Sequence, residues 1–238
     1  MEPLVEVLFD EPRFSPSGDR MLLVTLGEAI DLRVNEAVRA LTESLRRDLP
    51  PGVAVVIPAY RSLALVYDPL ATTPQSLETA VRRRVRRLVG ADIPPPRTVE
   101  IPVCYGGELG PDIGFVAEHN RLDVEQVTAI HSARPYHIYT IGFAPGFCYL
   151  GGLDPRLHTP RLETPRTLVP AGAVGIAEAQ TGIYPLHSPG GWRLIGRTPL
   201  KLFDARRKEP FFYQAGDSLQ FVAISLEDYR RLREKEGG

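Results

Sequence analysis

The chain has 238 residues, 43% of them hydrophobic and 24% charged, with a formal net charge of -1. That is the balance of a globular protein with room for one large domain or two small ones, and it supplies no global field toward nucleic acid or an anionic membrane. The first residues, MEPLVEVLFDEP, set acids inside a short apolar run unlike a secretory leader, and no run reaches spanning length, so a cytoplasmic location is expected.

Residues 4–9 and 21–26 read as strands joined by a turn at Pro16-Ser17-Gly18. From Asn35 the period becomes helical, with Val38, Leu41, Leu45 and Leu49 on one face, and Pro50-Pro51-Gly52 stops it. Val53–Ile57 and Leu63–Tyr67 read as strands. Thr73 then caps a helix with Pro74 at its first position and Leu77, Val81, Val85, Leu88 and Val89 on its apolar face. Residues 1–90 thus form a β-β-α-β-β-α unit, a small α/β sandwich with helices on one side of a sheet. The run RRRVRR from Arg82 reads as the solvated face of the second helix rather than a nucleic-acid patch.

Residues 91–97, with three successive prolines, read as a semi-rigid linker. Beyond it, Thr98–Val103 is a strand, and Pro111–His119 and Val124–Ser132 are short helices, the second capped by Asp123. Tyr136–Ile141, Thr167–Val169, Ala173–Ala177, Gly182–Leu186, Trp192–Ile195, Leu200–Phe203 and Ser218–Ala223 read as strands, and residues 226–236 as a charged helix. Short strands at this spacing predict an all-β barrel or sandwich over 98–238, so the chain is α+β in two domains.

The stretch 142–199 stands apart, with ten glycines, eight prolines, five arginines, no lysine and the only Trp. So many permissive or fixed backbone positions predict loops shaped around a ligand. Guanidinium groups on rigid loops suit carboxylate or phosphate, so Arg166 and Arg197 are the leading anion contacts, with Arg161 behind them. His187, Tyr184 and Gln180 read as polar lining. Pro145, Gly146, Phe147, Pro170, Gly172, Ser188, Gly190, Gly191 and Trp192 read as the positions that shape the pocket. Tyr149, Tyr184 and Trp192 fit either a pocket wall or barrel core.

Other chemistry is thin. The five histidines form no HxH or HExxH pair, and the two cysteines, Cys104 and Cys148, form no CxxC, so no metal is expected. The cysteines read as reduced, partly buried thiols, with a nucleophilic Cys148 as the alternative. Ser188 lacks a GxSxG elbow and precedes Pro189, which has no N–H for an oxyanion, so it reads as a turn hydroxyl. There is no GxxxxGK[ST] and no GxGxxG after a strand, hence no familiar nucleotide-binding device.

The strings GFAPGFCYLGGLD (142–154), PRLETPRTLVPAGAVGIA (160–177), QTGIYPLHSPGGWRLIGRTP (180–199) and LFDARRKEPFFYQAGDSLQF (202–221) resemble the KipI / 5-oxoprolinase B-subunit family, also described as allophanate hydrolase subunit 1 and as the C-D subdomain of carboxyltransferases. PVCYGGELGPD (102–112) and VIPAYRSLALVYDP (56–69) extend the resemblance over nearly the whole chain. It implies an N-terminal α/β domain followed by a cyclophilin-like β-barrel. It also implies a non-autonomous subunit of an ATP-dependent 5-oxoprolinase, opening the 5-oxoproline lactam to glutamate in a hetero-oligomer with a KipA-like partner and a LamB/YcsF-like partner. Two further roles carried by the same resemblance are inhibition of a histidine kinase and membership of a urea or allophanate carboxyltransferase. It assigns no catalytic residue to a numbered position here.

Overall fold

The computed structural model describes residues 8–87 and 96–236. The chain divides into two compact units, Met1–Pro95 and Pro96–Gly238.

In the first unit the elements run β1 (Leu8–Pro16), β2 (Met21–Gly27), α1 (Leu32–Arg47), β3 (Val53–Pro58), β4 (Ser62–Tyr67) and α2 (Pro74–Val85). The strands form one antiparallel sheet in the order β1-β2-β4-β3. Alternation in β2 and β4 sends Leu22, Val24, Leu26, Leu63 and Leu65 inward, where they bury against Val34, Val38, Leu41 and Leu45 of α1 and Leu77 and Val81 of α2.

Three local readings shift. The first strand lies later than 4–9: β1 begins at Leu8 and runs through Pro12 to Pro16, because an edge strand with a register break between Leu8 and Arg13 tolerates proline and charge. Residues 4–7 lie outside the described residues. Helix α1 begins at Leu32 under an Asp31 cap and ends at Arg47, leaving Leu49 beyond it and exposed. Leu88, Val89 and residues 91–95 also fall outside the described residues. The arginine run is not merely solvated: Arg84 donates to the carbonyls of Ser44 and Asp48 at the end of α1, and Arg82 pairs with Glu11.

The second unit holds β5 (Thr98–Tyr105), α3 (Ile113–Asn120), α4 (Val124–Ser132), β6 (Tyr136–Ile141), β7 (Cys148–Gly151), β8 (Arg166–Val169), β9 (Ala173–Ala177), β10 (Gln180–Ile183), β11 (Ser188–Gly190), β12 (Arg193–Arg197), β13 (Ser218–Ala223) and α5 (Leu226–Lys235). Seven strands form a sheet in the order β10-β9-β12-β5-β13-β6-β7. Its two edges meet, with Gly182 of β10 against the Cys148 carbonyl of β7, so the sheet nearly closes into a barrel. Ile101, Val103, Tyr136, Ile138, Val174, Ile176, Ile195, Leu219 and Phe221 fill it, and β8 and β11 pair separately. The α+β expectation and the barrel both hold.

Helix α4 starts where its capping box dictates: Asp123 accepts from the Gln126 N–H, and the Gln126 side chain accepts from the Asp123 N–H. The expected strand at 182–186 is instead β10 at 180–183. Tyr184 still exchanges backbone hydrogen bonds with Ala173 and Gly172, and Pro185, lacking an N–H, ends the ladder. Leu200–Phe203 forms no strand, only a bridge from Phe203 to Phe211.

Candidate functional site

The loop leaving β6 builds the first wall of a cleft. Ala144 accepts from the Phe147 N–H, with Pro145 and Gly146 at the corners and Gly146 at φ +84°. That is the Pro-Gly order of a type II turn, whose third position wants positive φ. The turn is pinned by the Tyr213 hydroxyl, which donates to the Gly146 carbonyl at 2.7 Å. It delivers Phe147 to the centre of an aromatic cluster. The ring of Phe147 meets Phe143, Tyr149, Tyr184 and Trp192 edge to face, with centroids 5.4, 5.1, 5.7 and 5.7 Å away.

Tyr184 reaches this cluster because Gly190 has no side chain. A Cβ there would stand 2.4 Å from the Tyr184 hydroxyl oxygen. Trp192, at the mouth of β12, is held from behind by Arg166, which donates to the Trp192 carbonyl at 3.3 Å and to Asp112 Oδ1 at 2.8 Å. Asp112 occupies the N-cap position of α3 yet does not cap it; its other oxygen accepts from the Leu194 N–H at 2.6 Å. A carboxylate drawn from the helix start therefore anchors the strand that carries the indole.

These walls enclose a cleft of about 350 Å³, lined by Phe143, Phe147, Tyr149, Tyr184, Trp192, Arg161, Gln180, Pro165, Pro189, Gly190 and Gly191. The size suits a small molecule. Arg161 is exposed at the rim and makes no ion pair among the described residues. Phe143 is 70% exposed and sits at φ +66°, a region that side chains with a Cβ rarely enter. Burial pushes the Tyr184 phenol up, opposed by a backbone hydrogen bond with Trp192 and the charges of Arg161 and Arg166, so Tyr184 is a neutral donor. No carboxylate, imidazole or thiol is among the residues lining the cleft.

Of the expected site residues, the cleft brings together Arg161, Gln180, Tyr184, Phe147, Gly190, Gly191 and Trp192. Arg166 lies behind the wall with Asp112. Arg197 lies away from the cleft lining and donates to the Ala171 carbonyl at 2.8 Å. His187 is exposed and outside the lining. Pro145 and Gly146 form the turn; Pro170 and Gly172 belong to the loop before β9, where the Gly172 N–H donates to the Tyr184 carbonyl. Ser188 pairs with Val169 in a strand instead of sitting in a turn. Phe143, Pro165 and Pro189 join the lining without having been expected there. The sequence signal for Phe143 is an aromatic wedged between Gly142 and a Pro-Gly corner.

Cys148 is buried, and burial, opposed by hydrogen bonds with Tyr213 and the Ile183 backbone, pushes its thiol up to about 11. It belongs to the barrel core, not the cleft, which corrects the nucleophile alternative. Among the described residues, no three His, Cys, Asp or Glu side chains stand together as a metal-binding group, and no helix is long and apolar enough to cross a membrane.

Residues 12–213 match the carboxyltransferase domain, subdomain C and D. The chain is 41% identical over 228 residues to the B subunit of 5-oxoprolinase from Bacillus subtilis (strain 168), covering 92% of this chain and 95% of that protein. It is 42% identical over 208 residues to the B subunit of 5-oxoprolinase from Escherichia coli O157:H7, covering 86% and 93%. Among solved structures, the K. lactis urea amidolyase superposes with a TM-score of 0.75 at 20% identity, over 94% of this chain and 15% of that one. That last likeness carries the fold alone.

Proposed function

The chain belongs to the carboxyltransferase-domain family, subdomains C and D, and from that premise we propose that it is the B subunit of a 5-oxoprolinase, contributing the aromatic cleft that holds the lactam. The observation that carries the reading is a small-molecule cleft with one cation that has no ion-pair partner among the described residues, a neutral phenol donor and no acid–base group. In this reading Arg161 takes the carboxylate of 5-oxoproline, the edge-on rings of Phe147 and Trp192 flank its ring, and Tyr184 and Gln180 orient the lactam amide.

An amide needs its carbonyl activated before water can open it. With no general base in the cleft, the proton transfers belong to residues of the partner chains. ATP supplies the driving force for lactam opening when bound by the complex, but the cleft does not fit a magnesium nucleotide: its walls offer one cation and no carboxylate for the metal. We place the nucleotide on the partner chains, one KipA-like and one LamB/YcsF-like. The urea amidolyase likeness, at 20% identity, favours no urea substrate.

Reconstitution with both partners, ATP and 5-oxoproline tests this. Glutamate should form only in the complete mixture, and Arg161→Gln should raise KM for 5-oxoproline about tenfold or more, the scale of one charge-assisted hydrogen bond. No glutamate from the complete wild-type mixture would overturn the assignment to this complex. An unchanged KM in the variant would overturn the role of the cleft.

A further inference from the structure

Two walls of the cleft, the rings of Trp192 and Tyr184, each lie directly on glycine. Gly175 of β9 and Gly182 of β10 stand opposite each other in the antiparallel ladder, so side chains there would share one face of the sheet. Trp192 covers that face: a Cβ on Gly175 would stand 3.1 Å from Trp192 Cβ, and a Cβ on Gly182 would stand 3.1 Å from its Cζ3. Gly190 of β11 does the same for Tyr184. A Cβ there would stand 2.4 Å from the hydroxyl oxygen and 2.8 Å from both Cε1 and Cζ. None of these three glycines has a positive φ, so the backbone itself asks for no glycine. The missing side chains make room for the rings.

The two seats differ in what an added methyl group would do. At Gly175 and Gly182 it would make a tight contact with an indole that Arg166 also holds through the Trp192 carbonyl. At Gly190 it would overlap the far end of a side chain, so the phenol must turn away. Phe147 and Trp192 stand edge-on to Tyr184, with centroids 5.7 and 6.1 Å away. The Tyr184 backbone is fixed by its hydrogen bonds with Ala173 and Gly172. The open space beside the phenol is the cleft, which Tyr184 and Gly190 both line. A phenol displaced from Gly190 therefore enters the volume that a ligand uses.

We infer that Gly190 is a specificity-determining residue: by seating the Tyr184 phenol in the wall, it sets the largest lactam ring that the cleft accepts. The inference rests on the reading of the cleft as a lactam site. Gly190 acts through Tyr184, and its effect is exclusion by size. It therefore bears on the difference between two ring sizes and not on the carboxylate or amide contacts that both rings share.

The test is titration of the full chain with 5-oxoproline and with its six-membered homologue, 6-oxopiperidine-2-carboxylate, followed by Trp192 emission. The ratio of the two dissociation constants, six-membered over five-membered, should rise about tenfold or more in Gly190→Ala, the scale of one methylene in a tight pocket. With Tyr184→Leu in place there is no phenol to displace, and adding Gly190→Ala should no longer move the ratio. An unchanged ratio in Gly190→Ala, or the same rise in the Tyr184→Leu background, would overturn the inference and leave the lactam reading standing. Where Gly190→Ala does not fold, Tyr184→Leu alone decides: the shorter side chain should lower the ratio, and an unchanged ratio would overturn the inference. A wild-type chain that binds neither lactam would overturn the lactam reading and this inference with it.

Discussion

The Tyr105 hydroxyl lies 2.8 Å from His131 Nδ1 inside the barrel, and His131 Nε2 lies 2.8 Å from Thr181 Oγ1. Thr181 donates its own proton to the Gly175 carbonyl at 3.1 Å, so its oxygen accepts from Nε2–H and the Tyr105 hydroxyl donates to Nδ1. This fixes a neutral imidazole, tilted 31° to the Phe221 ring with the centroids 4.5 Å apart, that ties α4 to β5, β10 and β9. Burial lowers its pKa from 6.5 to about 3.

The folded state therefore refuses a proton that the unfolded state takes up below about pH 6.5. The contribution of His131 is fully present above that pH and is lost as pH falls toward about 3, with a limiting slope of about 1.4 kcal/mol per pH unit. Urea unfolding followed through Trp192, the only Trp and a residue of this unit, should show stability declining from about pH 6.5 downward, before carboxylates titrate. In His131→Gln that early decline should vanish; a decline of equal slope in the variant would refute the assignment.

Arg166 is expected to act through Trp192. Removing its side chain leaves the buried Asp112 carboxylate with the Leu194 N–H but no counter-charge. Arg166→Ala should destabilise the barrel unit by about 1–3 kcal/mol, and Trp192 emission should shift red as the indole loses its backing. An unshifted spectrum with full stability would show that the Asp112 pair supports nothing in the wall.

Much of this fold is readable from local chemistry. The Asp123…Gln126 box announces α4, and the alternation in β2 and β4 announces a half-covered sheet. Elements that depend on distant partners are not readable in this way. Strand β1 exists because β2 supplies hydrogen bonds to a proline-interrupted edge, and β11 because Val169 and Arg166 lie opposite it. The same limit governs the cleft. Arg166 reads as an anion contact because its carboxylate partner lies 54 residues upstream, and no local pattern couples Asp112 to it.

Cys148 should be chemically silent in the folded protein. Its thiol is buried and raised to about 11, so almost no thiolate exists near neutral pH. A thiol reagent at mildly alkaline pH should leave Cys148 unlabelled until urea opens the barrel, and Cys148→Ala should retain glutamate production in the reconstituted complex. Rapid labelling of Cys148 in the native chain, found by peptide mapping, would contradict the burial.

Phe143 offers a sharper contrast, because truncating it two ways should give the reverse of the usual order. At an ordinary position alanine is the more stabilising replacement, since glycine adds freedom to the unfolded chain. At φ +66° the alanine Cβ inherits the left-handed strain that glycine escapes, a difference of about 1–2 kcal/mol. Both variants lose the edge contact with Phe147, so that term cancels between them. Phe143→Gly should therefore exceed Phe143→Ala in urea stability by about 1 kcal/mol or less, after the unfolded-state cost of glycine is deducted. Both should bind 5-oxoproline more weakly than the parent by Trp192 fluorescence, since both remove the exposed rim ring. Equal stability of the two variants would mean that the backbone at 143 relaxes out of the left-handed region. Undiminished binding would mean that the ring, although it stands at the mouth of the cleft, does not touch the ligand.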